Sequence, residues 1–278
     1  MKHTEQAPAP DHPEQLARDI RAAVQELFSG GAVRDVSYKA DGSPVTAMDR
    51  RLESALVPLL RRATPACPVL SEEMTPGEQQ AVLDAGRPFW CLDPLDGTTN
   101  FIHGLPFFAV SLALIDRFGA AWSLTLDPNR DECFTARRGA GAMLNGRVLE
   151  ARGAGDFACN GLDDCVGVVD FKRLDRSLAR PLAQSSPFAS MRNLGSVALE
   201  WCWLAAGRFE VYLHGGQKLW DYAPGQLIAQ EAGAVARALD GDELFCWDTG
   251  PRAALGAASP ELWSQMRDWL SSPPAVNC

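Results

Sequence analysis

The nine residues Asp93-Pro-Leu-Asp-Gly-Thr-Thr-Asn-Phe101 constrain this chain more than any other segment. The apolar run Phe89-Trp-Cys-Leu92 reads as a strand ending on Asp93. The chain then turns through Pro94 and Gly97 into residues able to open a helix. Two carboxylates three residues apart at a strand end can converge on one cation or bridge two, and the Leu95 carbonyl between them is a neutral oxygen donor. Hard divalent cations such as Mg²⁺ take oxygen ligands of this kind. At the expected helix start, free N–H groups of Gly97 and Thr98 can hold an anion. A metal site and a phosphate site are compatible with this one segment; so is a solvated Asp-Pro and Asp-Gly turn.

The remaining periodicities place layers around that strand. From Pro13, the residues Leu16, Ile20, Ala23, Val24 and Leu27 recur at helical spacing, and Gly30-Gly31 closes the segment. Leu52, Leu56, Leu59 and Leu60 define a second helix with Asp49 in its first turn, where the helix dipole favours an acid. The short run Pro68-Val-Leu70 delivers Ser71-Glu-Glu73 to a strand end. Residues 107–115 and 120–126 read as neighbouring strands joined by a turn at 116–119, with a third strand at 131–136 and a glycine-rich turn at 139–146. Residues 165–170 read as a buried strand; 172–184, 196–207 and 222–232 read as helices, Gly233 closing the last. Strands and helices in this mixed order predict an α/β (α+β) layered sandwich. The expected division is a disordered tail at 1–12, an N-terminal α+β subdomain at 13–152 with most of the acidic candidates, and a C-terminal α/β subdomain at 153–278.

Composition narrows the partners. The 278 residues include 26 Lys and Arg against 35 Asp and Glu, a net charge of −9. That balance argues against a nucleic-acid surface, which works through Lys and Arg on phosphates. It accommodates a phosphorylated small molecule if a cation stands between acid and phosphate. No apolar run reaches the roughly 18–20 residues needed to span a bilayer, so no membrane partner is expected. The polar, Pro-rich first dozen residues lack the apolar stretch of a secretory signal, which predicts a reducing cytoplasm. None of the eight cysteines has Cys-x-x-Cys spacing, which argues against a zinc ribbon or redox motif, and several, Cys91 and Cys202 among them, sit in apolar runs and read as small core hydrophobes.

Four blocks together resemble the inositol monophosphatase family of Mg²⁺-dependent, lithium-sensitive phosphatases. They are Lys39-Ala-Asp-Gly-Ser-Pro-Val-Thr46 with Asp49, Ser71-Glu-Glu73, Asp93-Pro-Leu-Asp-Gly-Thr-Thr-Asn-Phe101, and Trp220-Asp221 with Gly225. They occur in the family's order across about 39–233, nearly the whole folded chain. The resemblance implies an α/β/α/β/α sugar phosphatase-like fold and, usually, a homodimer. It implies two to three Mg²⁺ ions: a first on Glu72, Asp93 and the Leu95 carbonyl, a second on Asp93, Asp96 and Asp221, and a weaker third near Glu72. Thr98, hydrogen-bonded to Asp49, would orient and help deprotonate the attacking water with Glu72 in the catalytic set; Lys39 and Glu73 are further participants. Gly97 and Thr98 would bind the phosphate, and Gly195, Ser196, Val197, Asp96, Asp221 and His214 would line the substrate.

The resemblance points to inositol monophosphate as substrate, with departures. His214 stands where inositol-cleaving members carry a glutamate. A neutral histidine accepts one hydrogen bond, whereas a protonated one, with Lys218 nearby, suits a second phosphate; both also read as solvent-facing rim residues. Pro224 replaces the usual alanine and is expected in a helix's first turn, where proline is tolerated. Relatives open 3′(2′),5′-bisphosphate nucleotidase, fructose-1,6-bisphosphatase and histidinol-phosphatase activities as alternatives. A catalytically dead regulatory binding protein is the non-enzyme alternative, and the presence of every expected metal ligand counts against it.

Overall fold

Alternation of buried leucines with charged residues produces the first layer. In the computed structural model, which describes residues 7–8, 10–31, 35–39, 42–151, 159 and 161–272, α1 (Pro13–Ser29) buries Leu16, Ile20 and Val24 at four-residue intervals. A short hairpin of β1 (Val36–Tyr38) and β2 (Pro44–Thr46) leads into α2 (Ala47–Ala63). That helix starts on a capping box: the Thr46 hydroxyl accepts from the Met48 amide, and the Asp49 carboxylate accepts the Thr46 amide at 2.7 Å. Leu52, Leu56 and Leu60 are fully buried on its inner face, at about 1.5–3 kcal/mol each.

Next come β3 (Val69–Ser71), α3 (Pro76–Asp84), β4 (Phe89–Asp96), α4 (Thr98–His103), β5 (Ala109–Asp116), β6 (Gly119–Asp127), β7 (Glu132–Arg137), β8 (Ala142–Leu144) and β9 (Arg147–Leu149). The seven strands β3 to β9 form one sheet in sequence order, β3–β4 parallel and the rest antiparallel. All eight residues of β4 and of β5 are buried, since helices cover both faces. Beyond a short 3₁₀ turn (Leu162–Asp164) follow β10 (Val166–Asp170), α5 (Arg176–Gln184), β11 (Ser190–Arg192), α6 (Val197–Ala205), β12 (Val211–Gln217), α7 (Leu219–Glu231), β13 (Val235–Ala238), β14 (Arg252–Ala257) and α8 (Pro260–Ser271). A second sheet has the order β11-β10-β12-β14-β13, with β10 parallel to both neighbours.

The core clusters define the stacking. Leucines of α1 and α2 pack on one face of the first sheet. Trp201 and Leu204 of α6 and Ala223, Leu227 and Ile228 of α7 join one cluster with Phe134 of the first sheet and Tyr212 of the second. Leu182 of α5 and Leu262 and Met266 of α8 cover the far face. The result is the five-layer α/β/α/β/α sandwich. Helices α6 and α7 approach closely because residue 225 is glycine: a Cβ there would sit 2.4 Å from the Trp201 Cβ.

Several expectations shift. The segment at 139–146 is a turn holding strand β8, paired on both sides. Strand β4 continues to Asp96 through an irregular register between Asp93 and Asp96 instead of ending at Asp93. Because Asp221 accepts the Lys218 amide, α7 begins at Leu219, which puts Pro224 inside the helix and not in its first turn. Arg138, at the start of the glycine-rich turn, binds the buried Asp116. Within the expected tail, the Ala7 amide donates to Asp116; its other described residues are 8 and 10–12, and the expected division at 152/153 lies outside the described residues. No helix among the described residues is long and apolar enough to cross a membrane.

Candidate metal centre

The irregularity in β4 aims two acids into one place. Paired to Ser111 and Ala109 of β5, Asp93 and Asp96 flank the shift, and Asp93 turns back to accept the Leu95 amide at 3.0 Å. From the other half of the chain, α7 brings in Asp221. One carboxylate oxygen from each of Asp93, Asp96 and Asp221 lies within 4.8 Å of the others. Burial pushes the Asp93 carboxyl well above the usual carboxylate range, and the charges of Glu72, Asp96 and Asp221 push it further. Burial likewise raises Asp221 well up, again with Asp96 and Glu72 adding to it. Asp96 rises to about 6, restrained by hydrogen bonds from the Ser196 hydroxyl and Ala198 amide. Three acids held together against desolvation and mutual repulsion form a donor set suited to a hard divalent cation. The residues present therefore fit Mg²⁺.

Glu72 stands beside this trio at the end of β3, where its amide donates to the Leu92 carbonyl at 3.0 Å. Lys39 bridges Glu72 and Glu73 at 2.8 and 2.9 Å. Burial lowers the Lys39 ammonium, but the two glutamates outweigh it and hold its pKa above the ordinary value. Glu73 is pushed up to about 7 by burial, against the pull of Lys39.

Gly97 adopts φ +87°, and a Cβ there would meet the Phe107 carbonyl at 3.1 Å and the Ser196 Cβ at 3.2 Å. Only glycine fits this turn between strand and helix. Thr98 opens α4, but its hydroxyl donates to the Leu95 carbonyl at 3.0 Å. Asp49 is committed to Thr46, amide and hydroxyl alike. The expected Thr98–Asp49 hydrogen bond is therefore not made, because the α2 cap and the β4 turn each use one partner. The Leu95 carbonyl faces the turn while its side chain lies in the core.

Ser196 ends a turn in which Gly195 has φ +83°. Glu200, one turn into α6, accepts the Leu194 and Gly195 amides at 3.2 and 2.9 Å. Burial raises Glu200 to about 7. Asn100 donates to the carbonyls of Phe107 and Leu194, both at 2.8 Å, tying α4 to the same turn. Sequence reasoning missed Glu200 and this role of Asn100; neither has a spacing signal, since the partners are backbone groups. Val197 is the first residue of α6, next to Ser196 on Asp96.

His214 is not a rim residue. It is 1% exposed; its Nε2 lies 3.0 Å from Asp170 Oδ2, and its Nδ1 accepts the Gly216 amide at 3.1 Å. Both ring nitrogens face the protein interior, and burial holds its pKa below the ordinary value. Asp170 also binds Arg173 at 2.7 Å. Burial pushes Asp170 up, but His214 and Arg173 outweigh it and leave it well below the usual range. Lys218 remains on the rim and donates to the Thr249 carbonyl at 3.1 Å.

Fold and site together define a class: a layered α/β/α/β/α protein with an acidic, cation-ready centre where its two halves meet. The family model described as the inositol monophosphatase family matches residues 7–269, and the chain belongs to that family. A relative named Nus factor SuhB from Pseudomonas aeruginosa is 37% identical over 217 residues, covering 77% of this chain and 79% of its own. The structure of the extragenic suppressor protein SuhB from Bartonella henselae matches with a TM-score of 0.79 at 26% identity, over 95% of this chain and all of that one. An IMPase/NADP phosphatase crystallised with Mg²⁺ and phosphate shares the fold at a TM-score of 0.78 and 19% identity, over 93% and 95% of the two chains.

Proposed function

We propose that this chain is a cytoplasmic Mg²⁺-dependent hydrolase of small phosphate monoesters, with inositol monophosphate as its favoured substrate. The trio Asp93, Asp96 and Asp221, drawn within 4.8 Å against its own repulsion, carries the reading. These acids, with Glu72 and the Leu95 carbonyl, would hold two to three Mg²⁺ ions. When bound, such ions lower the pKa of water, draw in the phosphate dianion and neutralise charge on the leaving oxygen.

The chain's own groups do the rest. The Gly97 and Thr98 amides hold the phosphate, and the Thr98 hydroxyl orients the attacking water. For Asp49 to take the proton from Thr98, the Thr98 hydroxyl must exchange its bond to the Leu95 carbonyl for one to Asp49, whose Oδ2 is the oxygen held by Thr46. Gly195, Ser196 and Val197 form the wall facing the alcohol part of the ester, held in shape by Glu200. His214 lies behind the site, buried against Asp170 of the neighbouring strand β10. Asp96 and Asp221 accept from substrate hydroxyls. By family likeness a homodimer is the expected assembly.

Phosphate release tests this on inositol 1-phosphate, 3′-phosphoadenosine 5′-phosphate, fructose 1,6-bisphosphate, histidinol phosphate and glycerol 2-phosphate, with and without lithium. Preference for inositol 1-phosphate with lithium inhibition supports the reading. Preference for a bisphosphate moves the substrate to the nucleotidase or fructose-bisphosphatase alternatives. A second reading, a Nus-factor role on this fold, is favoured by the SuhB relatives at 37% identity. It gains first place if Mg²⁺ binds and none of the five esters is hydrolysed.

A further inference from the structure

The amino ends of the parallel strands β10 and β12 carry a second cluster of metal-type donors, unlike the first in chemistry. Cys159, Cys165 and Glu210 each place one donor atom within 4.8 Å of the other two. Between the two cysteines lies the 3₁₀ turn Leu162–Asp164, closed by the Asp164 amide on the Gly161 carbonyl and the Cys165 amide on the Leu162 carbonyl. That turn brings together two thiols whose five intervening residues match no spacing rule. Cys165 is fully buried just before β10, and Cys159 is half-buried. Glu210 precedes β12, and its Oε2 accepts the Val166 amide at 2.7 Å, which fixes the carboxylate against the thiols.

We propose that Cys159, Cys165 and Glu210 form a binding site for a thiolate-preferring divalent ion of the zinc class, with water in the fourth position. Zinc takes sulfur at about 2.3 Å and carboxylate oxygen at about 2.0–2.2 Å in a tetrahedron, and donors already within 4.8 Å of one another need only close slightly around it. The thiols donate weakly to backbone carbonyls, Cys159 to Asp164 at 3.4 Å and Cys165 to Gly161 at 3.2 Å. Binding releases both thiol protons to solvent, and no electrons are transferred. The resulting thiolates and the Glu210 carboxylate supply three anionic donors, and the fixed Glu210 is the kind of outer hydrogen bonding that tunes such sites. Without a cation, burial and the nearby carboxylates of Glu210 and Asp164 push both thiols up, so they stay protonated. The site is separate from the acid trio. Arg173, whose charge acts on Asp221, is bound to Asp170 at the carboxyl end of β10, five residues or about 16 Å of strand away from Cys165. A metal here would pin the entry into the second sheet and stay clear of hydrolysis.

Cobalt is the probe, because thiolate-to-cobalt charge-transfer absorption reports sulfur ligation and carboxylates cannot produce it. Reduced, chelator-treated full-length protein should develop this band with one equivalent of Co²⁺ and lose it to Zn²⁺. Cys159→Ser and Cys165→Ser should abolish it, Glu210→Gln should weaken affinity by at least about tenfold, and Asp93→Asn should leave it unchanged. In the unaltered chain, Zn²⁺ should shield Cys159 from alkylation and a chelator should restore reactivity, a result independent of how the variants fold. Absence of the band, its persistence in both serine variants, or equal alkylation with and without zinc overturns the proposal. So does purified protein lighter by two hydrogens, with a Cys159–Cys165 disulfide and no bound metal.

Discussion

Apart from Asp49, which caps α2, the aspartates of the interior divide into two groups, and the contrast between them separates stability from chemistry. Asp116, Asp127 and Asp170 each meet an arginine: Arg138 at 2.8 Å, Arg130 at 2.8 Å and Arg173 at 2.7 Å. For Asp116 and Asp170 the partners outweigh burial and hold the acid below its ordinary value. Asp93, Asp96 and Asp221 face one another, with Glu72 alongside, and all three are raised. The first group is electrostatically complete within the chain. The second is complete only with a cation from outside, the pattern expected where structure is strained in favour of function.

The sharpest way to break this comparison is Asp93→Asn. Mg²⁺-dependent phosphate release should fall to background while the circular dichroism spectrum stays native. Removing one of the mutually repelling acids should also stabilise the metal-free protein by about 1 kcal/mol, read as a higher melting temperature in chelator. A lower one would mean the trio is not self-repelling. Thr98→Val should reduce kcat by about 10²–10⁴, the range for a group that positions or moves a proton, with stability little changed. Steady-state kinetics at saturating Mg²⁺ checks it.

The paired group should respond in the opposite sense. Arg138→Met strands Asp116, 1% exposed, at a cost of about 3 kcal/mol, the low end for a broken buried pair because Arg138 itself is 34% exposed. Urea unfolding should show that loss at pH 7 and a smaller one at pH 5, where the stranded carboxyl can take up a proton. Activity per folded molecule should persist. Asp170→Asn should cost less, about 1–2 kcal/mol, since the Lys172 and Arg173 amides on Oδ1 keep an oxygen to bind and only the Oδ2 side, which meets His214 and the Arg173 guanidinium, is lost. Because the folded Asp170 is depressed, its stabilisation is present above the unfolded value near 4 and is lost as the pH falls through the folded value. The difference between wild type and Asp170→Asn should therefore shrink below about pH 4.

How far the sequence speaks depends on whether the partner is near in the chain. Local patterns placed α1, α2 and the β5–β6 pair to within a few residues, because burial every third or fourth residue, or along a continuous run, is written in the side chains themselves. Residues 139–146 misread as turn alone because β8 is three residues long and is held by ladder partners on both sides. His214 misread as a rim residue because the carboxylate that buries it, Asp170, is 44 residues upstream. Cys159 and Cys165 escaped notice because an intervening 3₁₀ turn sets their separation.

The acids of the candidate centre, the glycine that turns the chain beneath them and the amphipathic helices around them were determined by the sequence alone: strand ends, turns and helix faces depend on neighbours a few residues away. Tertiary structure decided which acids meet one another and brought Arg138 to Asp116, whereas Asp127 and Asp170 find their arginines three residues along the chain. Asp221 joins Asp93 and Asp96 only because α7 packs between the two sheets, and His214 reaches Asp170 only because β10 and β12 lie side by side. Charge is carried by a residue, but its energy depends on what the fold brings within a few ångströms of it.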